Sequence, residues 1–171
     1  MNQVQTEYKS DLDLSPDVLQ FLTFILNGEE YGVDILKVQG IQGWSKVTPI
    51  PNTPDFMLGV INLRGAVVPI VDLRKRFQLE EVGYGPTTVV IVVKVKDDDG
   101  ERVVGLVVDA VSEVYNVNSS EIKPSPNFSG SISTEYIRGL SMIDSKMVIL
   151  LEIDSLVNAG VLDLVPNELV N

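Results

Sequence analysis

Phe56-Met57-Leu58-Gly59-Val60-Ile61-Asn62-Leu63-Arg64-Gly65-Ala66-Val67-Val68-Pro69-Ile70-Val71-Asp72-Leu73 is answered 80 positions on by Tyr136-Ile137-Arg138-Gly139-Leu140-Ser141-Met142-Ile143-Asp144-Ser145-Lys146-Met147-Val148-Ile149-Leu150-Leu151-Glu152-Ile153. Gly59 meets Gly139, Asp72 meets Glu152, and apolar positions largely meet apolar ones. Working outward, Tyr31-Gly32-Val33-Asp34-Ile35-Leu36-Lys37-Val38 is echoed by Val104-Gly105-Leu106-Val107-Val108-Asp109-Ala110-Val111, 73 positions on. Pro49 and Pro51 answer Pro124 and Pro126. Two copies of one unit predict two similar modules with a pseudo-twofold relation and a seam between them. The sharpest difference between the copies is Arg64 against Asp144.

The local signals are those of strands and turns. Phe21 to Leu26 is β-rich, and Asn27-Gly28 before Glu29 to Val33 marks a hairpin, because a type I′ turn needs positive φ at both central residues. Val89 to Val95 and Val103 to Val108 repeat this, with Asp99-Gly100 as the turn pair. The stretch 56–73 reads as a hairpin turning at Arg64-Gly65, and its echo turns at Asp144-Ser145. Pro69 lacks a donor and predicts an edge or a bulge. Apolar residues at 35, 36, 38 and 41 suggest a short helical segment over Asp34 to Ile41, with 109–115 as a counterpart that could stay extended. Leu73 to Leu79 suits one helical turn, and Ile153 to Leu164 a terminal helix. Gly83, Gly85 and Pro86 mark the boundary between copies. Each copy then holds about five short strands, and a closed or nearly closed barrel hides their edges.

Composition narrows the function. The chain has 171 residues, 44% of them apolar, enough for a core of one domain or two small ones. A net charge of −11 opposes nucleic acid and anionic membrane as partners. The sequence contains no His and no Cys, which removes the commonest general base, thiolate nucleophiles, disulfides and most metal sites. No cofactor or metal is expected. No apolar run reaches the length of a membrane span, and the polar, acidic stretch Met1 to Pro16 does not read as a secretory signal, so a cytoplasmic location is expected.

Candidate chemistry is sparse. Asp97-Asp98-Asp99-Gly100-Glu101 lacks the ligand spacing of a calcium loop and reads as a solvated hairpin tip. Asp72 with Glu152, or Asp34 with Asp109, could pair as carboxylates, but Asp72 and Glu152 occupy equivalent places in both copies, which a turn or strand end explains more simply. No catalytic constellation can be assembled, so no enzyme is expected. Trp44, the lone tryptophan, suits an exposed anchor or a partly buried core residue equally. Arg64 stands out. A hairpin turn does not require Arg, and an Arg on an apolar shoulder is a common makeup of a protein-binding hot spot.

Glu30 to Val38, Gly59 to Leu73 and Val104 to Asp109 together resemble the CheW-like family of chemotaxis coupling domains. The resemblance runs from about Gln20 to Val157, and no kinase, phosphotransfer or receiver pattern accompanies it. It implies an all-β protein of two pseudo-symmetric, interlocked SH3-like five-stranded barrels, with short helical segments and a C-terminal helix. Residues 1–17, which lack periodicity and carry Asp, Ser, Gln and Pro, read as a flexible tail before a single domain over 18–157 and an extension over 158–171. The first barrel would lie mainly in 18–85 and the second in 86–157, exchanging strands. The implied role is a non-catalytic adaptor between methyl-accepting chemoreceptors and the kinase CheA, in signalling arrays reached through its partners. The receptor's cytoplasmic hairpin tip would dock in a groove between barrels, at Val38, Gly40, Ile41, Asn62, Arg64 and Gly65. Barrel ends would meet the regulatory domain of CheA and could join copies of the chain in rings. Gly40 departs from the family, which commonly carries Glu there, a plausible ionic partner for Arg64; the repeat-equivalent residue is Glu113. A small-molecule or carbohydrate-binding β-protein is the competing function class, and an aromatic content of only 6% opposes sugar stacking.

Overall fold

Runs of Val and Ile, which pack well on pleated surfaces, become ten strands in the computed structural model, which describes residues 17–80, 83–97, 100–125 and 134–158. The first half gives β1 (Val18–Leu26), β2 (Glu29–Asp34), β3 (Val38–Gly43), β4 (Met57–Leu63) and β5 (Ala66–Asp72). The second gives β6 (Val89–Asp97), β7 (Gly100–Val108), β8 (Ala110–Asn118), β9 (Ile137–Ile143) and β10 (Lys146–Leu151). Short helices α1 (Leu73–Arg76) and α2 (Ile153–Asn158) follow β5 and β10. Residues 1–16, Pro126 and the chain beyond Asn158 lie outside the described residues, and with them most of the expected tail and extension.

Three tight turns have the positive φ pair of type I′: Asn27 51° and Gly28 80°, Arg64 53° and Gly65 87°, Asp144 50° and Ser145 65°. The β6–β7 ladder runs to Asp97↔Gly100, and Asp99 of the expected Asp99-Gly100 turn pair lies outside the described residues. The helical segment expected over Asp34 to Ile41 shrinks to a single 3₁₀ turn, Ile35–Lys37, capped by the Asp34 carboxylate accepting from Leu36 N. Val38 to Ile41 are strand instead. The apolar spacing that suggested a helix fits a strand whose register jumps between Val38 and Gly40. Its counterpart 109–115 is extended throughout β8 after Asp109.

The sheets interlock. One runs β8-β1-β2-β10-β9 and the other β3-β6-β7-β5-β4. Each five-stranded SH3-like barrel thus takes a long hairpin from one half of the chain and three strands from the other. The swap is closed by parallel pairs, β2 with β10 and β5 with β7, which no hairpin could supply.

The two swapped hairpins also make the seam. Leu22, Phe24 and Leu26 of β1 and Ile91, Val93 and Val95 of β6, all at alternate positions, point into one shared core. Their other faces fill the separate barrels: Phe21 packs with Val148 and Leu150, while Val90 and Val92 pack with Val68 and Ile70. Fully burying each such side chain stabilises the fold by about 1.5–3 kcal/mol. Gly32 and Gly105 leave room inside the two barrels: a Cβ on Gly32 would lie 2.9 Å from Leu150 Cδ2, and one on Gly105 2.6 Å from Ile70 Cδ1.

Pro69 sits at neither a sheet edge nor a bulge. Val60, opposite it, spends both N–H and C=O on Thr48, and pairing of β5 with β7 begins only at Ile70. The missing donor of Pro69 therefore interrupts neither the β4–β5 ladder nor the recorded β5–β7 pairs. Among the described residues no helix is long and apolar enough to cross a membrane.

Candidate functional site: a cleft beside the Arg64 hairpin

A cavity of about 310 Å³ opens between the edge strand β3 and the tip of the β4–β5 hairpin. Gly40 and Ile41 form one wall, Leu63 and Arg64 the other, and Val68, Val92 and Val103 line it as well. The tip is fixed from within: Asn62 Oδ1 accepts a hydrogen bond from Gly65 N at 2.9 Å. This short polar bridge holds Arg64 in the left-handed region, which a non-glycine residue enters only at some cost. Arg64 is exposed and forms no hydrogen bond or ion pair among the described residues. Opposite it, Gly40 is open; a Cβ there would meet nothing within 4 Å. Ile41 is 47% exposed although it pairs directly with the fully buried Ile91.

The six residues singled out in the sequence therefore divide. Gly40, Ile41 and Arg64 line one cavity, and Asn62 and Gly65 build the turn that presents Arg64. Val38 lies on the same edge strand but packs, half-buried, against the large shared core. A charge there costs stability as well as surface complementarity. The large shared core packs the two barrels together, and the residues that line this cleft all belong to one barrel, beside its hairpin.

A buried ionic cluster was not read from the sequence. Arg74, 2% exposed, meets Asp72 (Nε to Oδ1, 3.1 Å) and Asp109 (Nη1 to Oδ1, 3.1 Å). Tyr84 donates from its hydroxyl to Asp72 Oδ2 at 2.8 Å, and its ring lies 4.8 Å from the Arg74 guanidinium carbon. Asp109 Oδ2 accepts from Asn27 N at 2.8 Å, tying the β1–β2 turn of the other barrel into the cluster. Burial would lower the Arg74 pKa, but the hydrogen bond and charge of Asp72, with the charge of Asp109, outweigh it and raise it. Burial, then the Asp72 hydrogen bond, push the Tyr84 phenol up to about 12. Asp72 and Asp109 are thus held as ion-pair partners rather than set against Glu152 or Asp34. Among the described residues no group of carboxylates could hold a metal ion.

A model of the CheW-like domain matches residues 20–161. The chain belongs to the CheW-like family. The chemotaxis protein CheW of Klebsiella aerogenes is 49% identical over 148 residues, which cover 86% of this chain and 87% of that protein. CheW of Rhizobium meliloti is 40% identical over 136 residues, 80% of this chain and 85% of that one. The crystal structure of the scaffolding protein TtCheW from Thermoanaerobacter tengcongensis superposes with a TM-score of 0.75 at 33% identity, covering 86% of this chain and 92% of that one. Two interlocked barrels are accordingly the CheW-like fold, and chemotaxis scaffolding is the function class of its relatives.

Within this CheW-like chain, Arg74 was legible only by comparing copies. Asp72-Leu73-Arg74 aligns with Glu152-Ile153-Asp154, and a charge reversal at a helix start is a signal of a local partner. Tyr84, in the connection between copies, has no repeat counterpart and carried no signal at all.

Proposed function

We propose that this protein is a non-catalytic adaptor that couples chemoreceptors to the histidine kinase CheA. The domain spanning 18–157 would act in the cytoplasm, at receptor arrays reached through its partners. The receptor's cytoplasmic hairpin tip would dock in the cleft at Gly40, Ile41 and Arg64, on the turn built by Asn62 and Gly65, with Val38 supporting the strand. The observation that carries this reading is an exposed arginine, without a hydrogen bond or ion pair among the described residues, held at positive φ on a tight turn over a largely apolar cavity. Apolar walls supply desolvated contact, and the guanidinium supplies planar recognition of a carboxylate or backbone carbonyl. The regulatory domain of CheA, and other copies of this chain, would use surfaces away from this cleft.

The test is a titration of the full chain with a chemoreceptor cytoplasmic fragment and, separately, with CheA. Binding of both, with the receptor fragment weakened at least about tenfold by Arg64→Ala, a loss of roughly 1.4 kcal/mol, is the expected result. Failure of both partners to bind at micromolar concentration overturns the adaptor reading.

A further inference from the structure

The wall of the cleft made by β3 has little of its own to hold it. It is the edge strand of its sheet, paired among the described residues only with β6, and carries a register jump between Val38 and Gly40. Two of its six residues, Gly40 and Gly43, are glycines with no contact a side chain could use. Glycine and an edge position both favour a loose strand. Yet its C-terminal end runs directly into a stack. Trp44 lies flat on Tyr84, ring centroids 4.2 Å apart and planes 8° from parallel. Trp44 N donates to Thr88 O at 3.2 Å, and Thr88 Oγ1 accepts from Gly85 N at 2.8 Å. Trp44 also packs against the apolar cluster that includes Leu63, Val68, Val92 and Val103 of the cleft.

Tyr84 in turn is anchored at its other end. Its hydroxyl holds Asp72 and its ring faces Arg74, so one side chain spans from the buried ionic cluster to the first residue after β3. The cluster itself reaches Asn27 in the second barrel through Asp109.

We infer that Tyr84 and Trp44 are positioning residues: their stack clamps the free end of β3, sets the width of the Arg64 cleft, and links that width to the Asp72–Arg74–Asp109 junction between the barrels. The inference rests on the proposed use of the cleft only for its consequence on receptor binding; the clamp itself is a property of the free protein. Tyr84 contacts Trp44, Asp72 and Arg74, none of which lines the cleft, so it acts on binding by placement.

The full-length chain tests this with two variants. Tyr84→Leu removes both the stack and the hydroxyl, and Tyr84→Phe keeps the stack while releasing Asp72. Trp44 is the only tryptophan, so its fluorescence reports the stack directly. In Tyr84→Leu, the Trp44 emission shifts, and amide hydrogen exchange over residues 39–43 accelerates at least about tenfold, while the β9–β10 hairpin exchanges as before. Receptor-fragment affinity falls by about tenfold, and Tyr84→Phe gives an intermediate value on both readouts. Unchanged exchange in β3 overturns the clamp. Equal acceleration in every strand also overturns it, because Tyr84 then serves general stability. Faster exchange confined to β3 with full receptor affinity upholds the clamp and removes the cleft as the receptor site.

Discussion

The tips at Arg64-Gly65 and Asp144-Ser145 share one backbone and oppose each other in charge. Both are type I′ turns closing equivalent hairpins. Behind the first stand Asn62 and Val67; behind the second, the directly paired Met142 and Met147, 60% and 50% exposed. Tyr115, close to the second tip, has its pKa raised by desolvation and by the surrounding carboxylates Glu113, Asp144 and Glu30. The edge strands beside the tips repeat as well: Ile41 faces Ile91 and Val114 faces Leu22, and both are 47% exposed. Duplication preserved what packing demands and left charge free to change. The same inversion recurs after β5 and β10, where Arg74 sits in a buried cluster and Asp154 bonds the half-buried Lys37 Nζ at 2.8 Å.

The comparison breaks most completely if one half is removed. A fragment ending at Gly85 keeps β1 to β5, but lacks three strands of one sheet and the β6–β7 hairpin at the centre of the other. It should show no cooperative thermal transition in circular dichroism. A sharp transition would mean that the halves are independent.

The helix-start positions should differ by several kcal/mol. Arg74→Ala strands Asp72 and Asp109 in a desolvated site and should cost about 3–5 kcal/mol. Asp154→Ala, at a site 28% exposed, should cost about 1 kcal/mol. Urea denaturation of both variants measures the gap, and equal losses would deny that the cluster is special.

At the tips the contrast moves from stability to binding. Arg64→Ala and Asp144→Ala should each stay within about 0.5 kcal/mol of the parent in stability, as surface substitutions do. Only the first should weaken receptor-fragment binding, by about tenfold or more. Equal weakening by both would make net charge, rather than the cleft, the determinant.

Alkaline titration sharpens the role of Tyr84, which has no counterpart in the other half. Its folded pKa of about 12 exceeds the ordinary phenol value of 10. The stability it contributes is therefore complete below about pH 10 and is lost as pH rises through about 12. Tyr84→Phe should remove that part of the alkaline decline. Identical pH dependence of melting in the parent and the variant would remove Tyr84 as its source.

The smallest effect is expected from making the two edge strands alike. Gly40→Glu places on β3 the acid that Glu113 carries at the equivalent place on β8, and the open space at Gly40 admits it. An exposed pair with Arg64 should add about 0–1 kcal/mol to stability. Its effect on receptor affinity should vanish in the Arg64→Ala background, and a double-mutant cycle without coupling would separate the two positions.

The sequence by itself determined the repeat, the strand-rich composition, the three tight turns at 27–28, 64–65 and 144–145, and the place of Arg64 at a hairpin tip. These are local matters: alternation of apolar residues, Asn-Gly and Arg-Gly pairs, and self-similarity are written along the chain. It also marked Gly40 as a departure from the Glu common in the family; that the position is open came from the structure. The edge strand at 38–41 was misread as helical because one bulge converts period-2 spacing into a pattern that also fits 3.6. Only the tertiary structure decided that Val38 faces the core while Gly40 and Ile41 line the cleft. It alone brought Asn27, Asp72, Arg74, Tyr84 and Asp109 into one cluster, across as many as 82 positions. Such contacts are chosen by how two swapped hairpins stack, and burial then selects which charges meet. Asp72 and Arg74 are neighbours along the chain, but nothing local to Asn27, Tyr84 or Asp109 marks the partners they find.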